Sequence, residues 1–295
     1  MSVLEAIVLG IIQGITEFLP ISSSGHLAIG NWLFGSIPDP NDFLAFNVLL
    51  HFASVAAILI ALRREAFSLL TTRRRLIVPL IIGTIPAGLA GLIFRGYLSN
   101  LQYSMPAVGG ALMFTGIMLA LSERLSRRTR ELSGVGALDA LAIGAVQAVA
   151  LLPGVSRSGM TISGGLFRGL NREDCVRFSF LLAIPAILGA TAVEAHGLFA
   201  EPEPAVRQNE IELSSHDVSP VANPENSAAD QEPSAANSET KPLGVWPQVL
   251  GGLSSFVFSL AAIKLLLGVV RKHSIAVFSY YCVPLGAIIL LLSAL

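Results

Sequence analysis

Six stretches of this chain stay apolar for long enough to cross a lipid bilayer: Phe43 to Leu62, Leu76 to Phe94, Pro106 to Leu121, Phe178 to Val193, Val245 to Val270 and Ile275 to Leu295. Crossing hydrocarbon takes about 20 apolar residues as a helix but only about 10 as a barrel strand, so runs of this length select helices. Lipid offers the backbone no hydrogen-bond partners, which removes most other solutions. Only 13% of the residues are charged, against roughly 25% in a soluble domain. The mean hydropathy of +0.69 agrees. The charges are segregated by region, so the net charge of -1 identifies no partner, and none of them points to nucleic acid. Cys175 and Cys282 give no disulfide framework. Met1 to Ile12 lacks the basic region and cleavage site of a signal peptide and reads as mature structure.

Two further stretches are apolar but interrupted by polar turns. In the first, Gln13-Gly-Ile-Thr-Glu-Phe-Leu-Pro-Ile-Ser-Ser-Ser-Gly-His26, Glu17 is the only acidic residue between Glu5 and Asp39. A carboxylate placed where hydrocarbon is expected is costly and marks a functional site. Gln13 and Glu17 are four apart and share a helix face. Pro20 breaks the helix, and a second apolar run, Leu27 to Phe34, follows the serines. Neither half reaches a full span, so residues 1–35 are expected to form a re-entrant helical hairpin surrounded by protein or a wet cavity. The second stretch, 138–170, is broken at Leu152-Pro-Gly-Val-Ser-Arg-Ser-Gly159, where Arg157 is the only charge between Asp139 and Arg168.

The two interrupted stretches are copies. Adding 134 pairs Gln13 with Gln147, Ser22 with Ser156, Ser24 with Ser158 and Gly25 with Gly159 without a gap. The expected fold is an all-α polytopic membrane protein of two repeats, 1–134 and 135–295, each one hairpin plus three transmembrane helices. Three crossings per half make the second copy enter from the opposite side, an inverted-topology repeat. The basic groups Arg63, Arg64 and Arg73 to Arg75; Arg124, Arg127, Arg128 and Arg130; and Arg271 with Lys272 then fall on one side. The positive-inside rule makes that side cytoplasmic, with both termini external. The connection 199–243 carries nine acidic residues against Arg207 and Lys241 and has no core-forming pattern. It reads as a disordered external loop.

If the repeats face one another, their turns meet near the midplane, where inverted-repeat proteins place their sites. One pocket would hold Gln13, Glu17, Ser22, Ser23, Ser24, His26, Ser156, Arg157 and Ser158. A guanidinium fork, several hydroxyls and two helix N-termini suit a phosphate. Glu17, with Gln13 beside it, could hold a hard divalent cation such as Mg2+ or Ca2+ against that phosphate. The competing reading makes Glu17 and Arg157 a buried ion pair pinning two hairpins. Asn47 and His51, four apart on the first full span, are expected to be interhelical hydrogen-bond partners.

Gln13-x-x-x-Glu17, Leu19-Pro-Ile-Ser-Ser-Ser-Gly-His26 and Pro153-Gly-Val-Ser-Arg-Ser-Gly159 together resemble the bacterial undecaprenyl-diphosphate phosphatases of the bacitracin-resistance type. The similarity covers residues 1 to about 198 and about 244 to the end. It implies a multi-pass enzyme of the bacterial inner membrane that removes the terminal phosphate of undecaprenyl diphosphate, regenerating the carrier lipid of cell-wall synthesis. Glu17 would be essential and metal-associated, Ser23 and His26 catalytic, and Ser156 and Arg157 would bind the diphosphate. Either His26 or Ser23 attacks phosphorus. The chain departs from the family in Gln13, where Glu is frequent, and in the length of 199–243. A homodimer is left open. A type-2 phosphatidic-acid phosphatase fails on motif order. The rival from another class is a polyprenyl-phosphate flippase using the same midplane anion site.

Overall fold

The computed structural model describes residues 1–34, 40–101, 104–199 and 244–294. The acidic connection 199–243 lies outside them apart from Phe199. The described residues form α1 (Val3–Phe18), α2 (Ser23–Phe34), α3 (Pro40–Ala61), α4 (Arg63–Leu70), α5 (Ile77–Leu101), α6 (Met105–Leu125), α7 (Ala137–Val149), α8 (Arg157–Phe167), α9 (Arg172–Phe199), α10 (Val245–Lys272) and α11 (Ser279–Ala294). Among them there is no strand beyond a single bridge between Arg130 and Leu170.

Among the described residues, six helices are long and apolar enough to cross a membrane: α3, α5, α6, α9, α10 and α11. They coincide with the six apolar stretches. Their outward faces carry Leu92, Ile93, Leu253 and Leu291, all exposed. A helix that is apolar all round has no solvated face, so these surfaces belong in lipid. The multi-pass membrane architecture follows.

Without a hydrophobic drive between helices in lipid, close backbone approach has to hold them together. A Cβ on Gly10 of α1 would lie 2.2 Å from the Gly251 carbonyl oxygen of α10, and one on Gly144 of α7 would lie 2.3 Å from that of Gly83 in α5. Only glycine permits either contact. α1 accordingly packs on α10 and α7 on α5, while α3 packs on α9 and α10, and α6 on α11. Phe18 at the end of α1 meets Phe180 of α9 edge-to-face, with centroids 5.4 Å apart, inside the main core.

Ion pairs join the helix ends at one pole of the bundle. Arg177 links Glu65 to Glu173, and Arg271 reaches Glu173 at 2.9 Å. Glu123 holds Arg128 at 2.6 Å and also Arg172. Asp139 receives Arg130 and Arg168, each at 2.7 Å. Arg130 also donates to the Arg168 carbonyl at 2.9 Å, so the start of α7 and the end of α8 are fastened to one side chain. The Arg130 guanidinium holds the Asp139 carboxyl well below the usual carboxylate range.

Candidate functional site

α1 stops at Phe18, just before Pro20, which has no N–H to continue the ladder. Its last turns place Gln13 and Glu17 on one face, and Gln13 Nε2 donates to Glu17 Oε2 at 3.0 Å. Gln13 is fully buried and its Oε1 has no partner. The chain then turns into α2 through Ser22, whose φ of +74° is left-handed. A side-chain-bearing residue there costs about 1–2 kcal/mol, and local hydrogen bonds must offset it. The Ser22 carbonyl accepts from the His26 N–H at 3.3 Å and from His26 Nδ1 at 2.7 Å. Ser22 Oγ accepts from the Gly25 N–H at 3.2 Å. Held this way, the turn points Ser23 at the acid, and Ser23 Oγ donates to Glu17 Oε2 at 2.7 Å.

The second turn repeats the same local chemistry. Gly154 has φ +89°, and a Cβ there would lie 2.9 Å from the Val108 backbone, so the close reversal requires glycine. Ser156 caps α8, its Oγ accepting from the Gly159 N–H at 3.1 Å. Ser156 and Ser158 hydroxyls are 3.1 Å apart, as those of Ser22 and Ser24 are 3.3 Å apart.

The two turns touch. Arg157 Nη2 donates to Glu17 Oε1 at 2.5 Å, the Gly154 N–H to Ser24 Oγ at 3.3 Å, and Ser158 Oγ to the Leu19 carbonyl at 3.0 Å. All nine residues expected in the pocket are therefore gathered. The buried ion pair of the competing reading is present as well, and it is part of the same cluster. Ser158 and Ser156 are buried, and the Ser158 hydroxyl is engaged between the turns. Ser24 is exposed, and the Arg157 side chain keeps 18% of its surface.

His26 has both ring nitrogens engaged. A carbonyl only accepts, so Nδ1 carries the hydrogen toward Ser22, and Nε2 accepts from the Tyr281 hydroxyl at 2.7 Å. The rings stack, with centroids 5.6 Å apart and planes 12° apart. Tyr281 of α11 lies inside an apolar span and carried no sequence signal. Nor did Thr115 of α6, whose Oγ1 accepts from the Ser156 N–H at 3.0 Å. The interhelical bonds expected of Asn47 and His51 are not made by Asn47 Oδ1 or His51 Nδ1, which are buried without partners. Their neighbours on α3, Phe46 and Leu50, pack against Ala6 and Leu9 instead.

The donor set near Glu17 suits a hard cation. A carboxylate and the unpartnered Gln13 Oε1 are both oxygen donors of the kind Mg2+ and Ca2+ take. Among the described residues no three His, Cys, Asp or Glu side chains cluster, so protein ligands alone would not complete the shell.

The family model described as bacitracin resistance protein BacA matches residues 6–288. An undecaprenyl-diphosphatase of Carboxydothermus hydrogenoformans is 34% identical over 100% of this chain and 98% of its own length. Proteins of the same name from Halothermothrix orenii and Syntrophotalea carbinolica are 34% and 35% identical, with both chains covered completely.

Proposed function

The chain belongs to the BacA family of bacitracin resistance proteins, and from that premise we propose how its two turns act. It is an integral-membrane hydrolase, an undecaprenyl-diphosphatase, which takes the terminal phosphate from undecaprenyl diphosphate and leaves undecaprenyl phosphate. The observation that carries the mechanism is the single carboxylate of Glu17 shared between Ser23 of one turn and Arg157 of the other.

Ser23 Oγ attacks the terminal phosphorus while Glu17 takes its proton. The bond from phosphorus to the bridging oxygen breaks, and its electron pair leaves with undecaprenyl phosphate, an anion that needs no added proton. Arg157, with its planar fork, and the N–H groups opening α2 and α8 spread the charge of the transferring phosphoryl group. Water then attacks the phosphoserine. The bond from phosphorus to Ser23 Oγ breaks as Glu17 returns to that oxygen the proton it took in the first step and accepts one from the water. This gives inorganic phosphate and free Ser23, and Glu17 then gives its remaining proton to solvent. Glu17 and Gln13 would hold a divalent cation such as Mg2+ or Ca2+, and the chemistry it would supply there is neutralisation of diphosphate charge. His26 is not the nucleophile in this scheme, because Ser22 and Tyr281 occupy its two nitrogens.

The topology proposed with it is the inverted repeat with two re-entrant hairpins, halves 1–134 and 135–295, basic loops cytoplasmic, in the bacterial inner membrane. Several observations support it. The glycine contacts of α1 on α10 and α7 on α5 fall at matched positions, Gly10 and Gly144. The serine caps match, and Asp139 with Arg130 and Arg168 ties both ends of the second hairpin together. A flippase is not favoured, since the named relatives are phosphatases.

The test uses purified protein in detergent, where no two compartments exist. Phosphate release from undecaprenyl diphosphate is measured with and without a chelator. Ser23→Ala should fall to background while His26→Gln keeps a measurable fraction. The reverse order would transfer the nucleophile to His26, and no release by the wild type would reopen transport.

A further inference from the structure

We infer that Tyr281 is a positioning residue for the hydrolysis, acting through His26 and the Ser22 backbone on Ser23. The inference rests on the Ser23 and Glu17 reading above and adds a helix to it, since α11 contributes nothing else to the proposed chemistry.

The steps are all short contacts. Tyr281 donates to His26 Nε2 at 2.7 Å and stacks on the ring. That bond leaves the hydrogen of the neutral imidazole on Nδ1, where it meets the Ser22 carbonyl at 2.7 Å. The Ser22 carbonyl belongs to the residue with left-handed backbone, φ +74°. Strained backbone of this kind persists only when the surroundings over-determine it. The next residue is Ser23, whose hydroxyl sits 2.7 Å from Glu17. α11 touches the same turn at the adjoining residue too, where Cys282 Sγ donates to the Pro20 carbonyl at 3.6 Å.

The second turn is an internal control. Its serine at the matching position, Ser156, has an ordinary φ of -77°. The residue matching His26, at 134 positions on, is Met160, and the one matching Ser23 is Arg157. The histidine clamp is therefore confined to the turn that is strained and that carries the attacking hydroxyl. On this account His26 serves the reaction by fixing backbone, and the tyrosine fixes the histidine.

The experiment is Tyr281→Phe, which keeps the stacking ring and removes only the hydroxyl. Losing one neutral hydrogen bond in the chain should lower kcat by about five- to tenfold, with KM changed by no more than about twofold. The same substitution made on His26→Ala should lower kcat no further, because residues acting through one another are not additive. Protein labelled with [15N]histidine gives a readout independent of turnover: the His26 Nε2 resonance should move from its hydrogen-bonded position toward that of a free imidazole nitrogen in Tyr281→Phe. Wild-type kcat in Tyr281→Phe, an unmoved resonance, or an additive loss on the His26→Ala background would each overturn the inference. Persistent turnover by Ser23→Ala would instead remove the nucleophile reading, so the two failures are distinct.

Discussion

Replacing Glu17 by glutamine leaves size unchanged, yet three donors converge on that carboxylate: Arg157 at 2.5 Å, Ser23 at 2.7 Å and Gln13 at 3.0 Å. The new amide offers one oxygen and one NH2. If the oxygen stays toward Arg157, the NH2 faces the other two donors. Both can adjust, since the Ser23 hydroxyl can turn to accept and Gln13 can flip to present its otherwise unpartnered Oε1. The charge is not repaired. Stranding one member of a buried pair costs about 3–5 kcal/mol, and the lower end applies because the Arg157 side chain keeps 18% of its surface. Loss of the base that takes the Ser23 proton should cost a further 10²–10⁴-fold or so in kcat. Phosphate release and thermal unfolding of the purified variant measure the two effects. Glu17→Gln combined with Arg157→Gln separates them, since it removes the stranded guanidinium: stability should largely return and turnover should not. Turnover by Glu17→Gln within about tenfold of wild type, or recovery of turnover along with stability in the double variant, would refute the base assignment.

Arg157→Lys keeps the charge but loses the planar fork, so it should lose most of the activity and Arg157→Ala nearly all; a fully active lysine variant would leave Arg157 as a source of field alone. Ser24 is exposed, and in the proposed orientation, with the basic loops cytoplasmic, Ser24→Cys in a background lacking Cys175 and Cys282 should react with a membrane-impermeant thiol reagent from outside. Labelling from the cytoplasmic side alone would contradict that orientation. Asp139 is an acid whose folded pKa lies below its unfolded value of about 3.9. The stability it contributes is fully present above that value and is lost progressively as pH falls from there toward the lower folded value. Thermal midpoints taken from pH 6 down to pH 3 should therefore drop less for Asp139→Asn than for wild type, and parallel profiles would remove Asp139 from the account.

Spans were legible because hydrocarbon imposes one requirement on every residue it touches. Their ends were less so. α9 begins at Arg172, ahead of the apolar run from Phe178, because Arg172, Glu173 and Arg177 find partners in Glu123, Arg271 and Glu65. Hydropathy counts those residues as polar without seeing that they are paired. Glu17 and Arg157 were readable for the opposite reason, as isolated charges among apolar neighbours. Gly154 announces its left-handed backbone by being glycine, whereas Ser22 adopts the same region with a side chain and gives no sign of it. Tyr281 could not be seen because its partner lies 255 residues away and its bond depends on which nitrogen of His26 is protonated.

The ion pair that closes the site also imposes a timetable on its assembly. Glu17 and Arg157 are separated by 140 residues. A ribosome adding roughly 5–20 residues per second delivers the guanidinium roughly 7–28 s after the carboxylate. On the proposed topology, the first hairpin holds during that interval an acid meant for the bilayer interior with no cation to meet it, a state lipid disfavours. The hairpin cannot settle at its final depth as an ionised unit until the second is made. The amino-terminal half is thus a dependent partner in membrane insertion, and substitutions at Arg157 should leave newly made chains sensitive to membrane proteases for longer, a defect of biogenesis that arises before any substrate is bound.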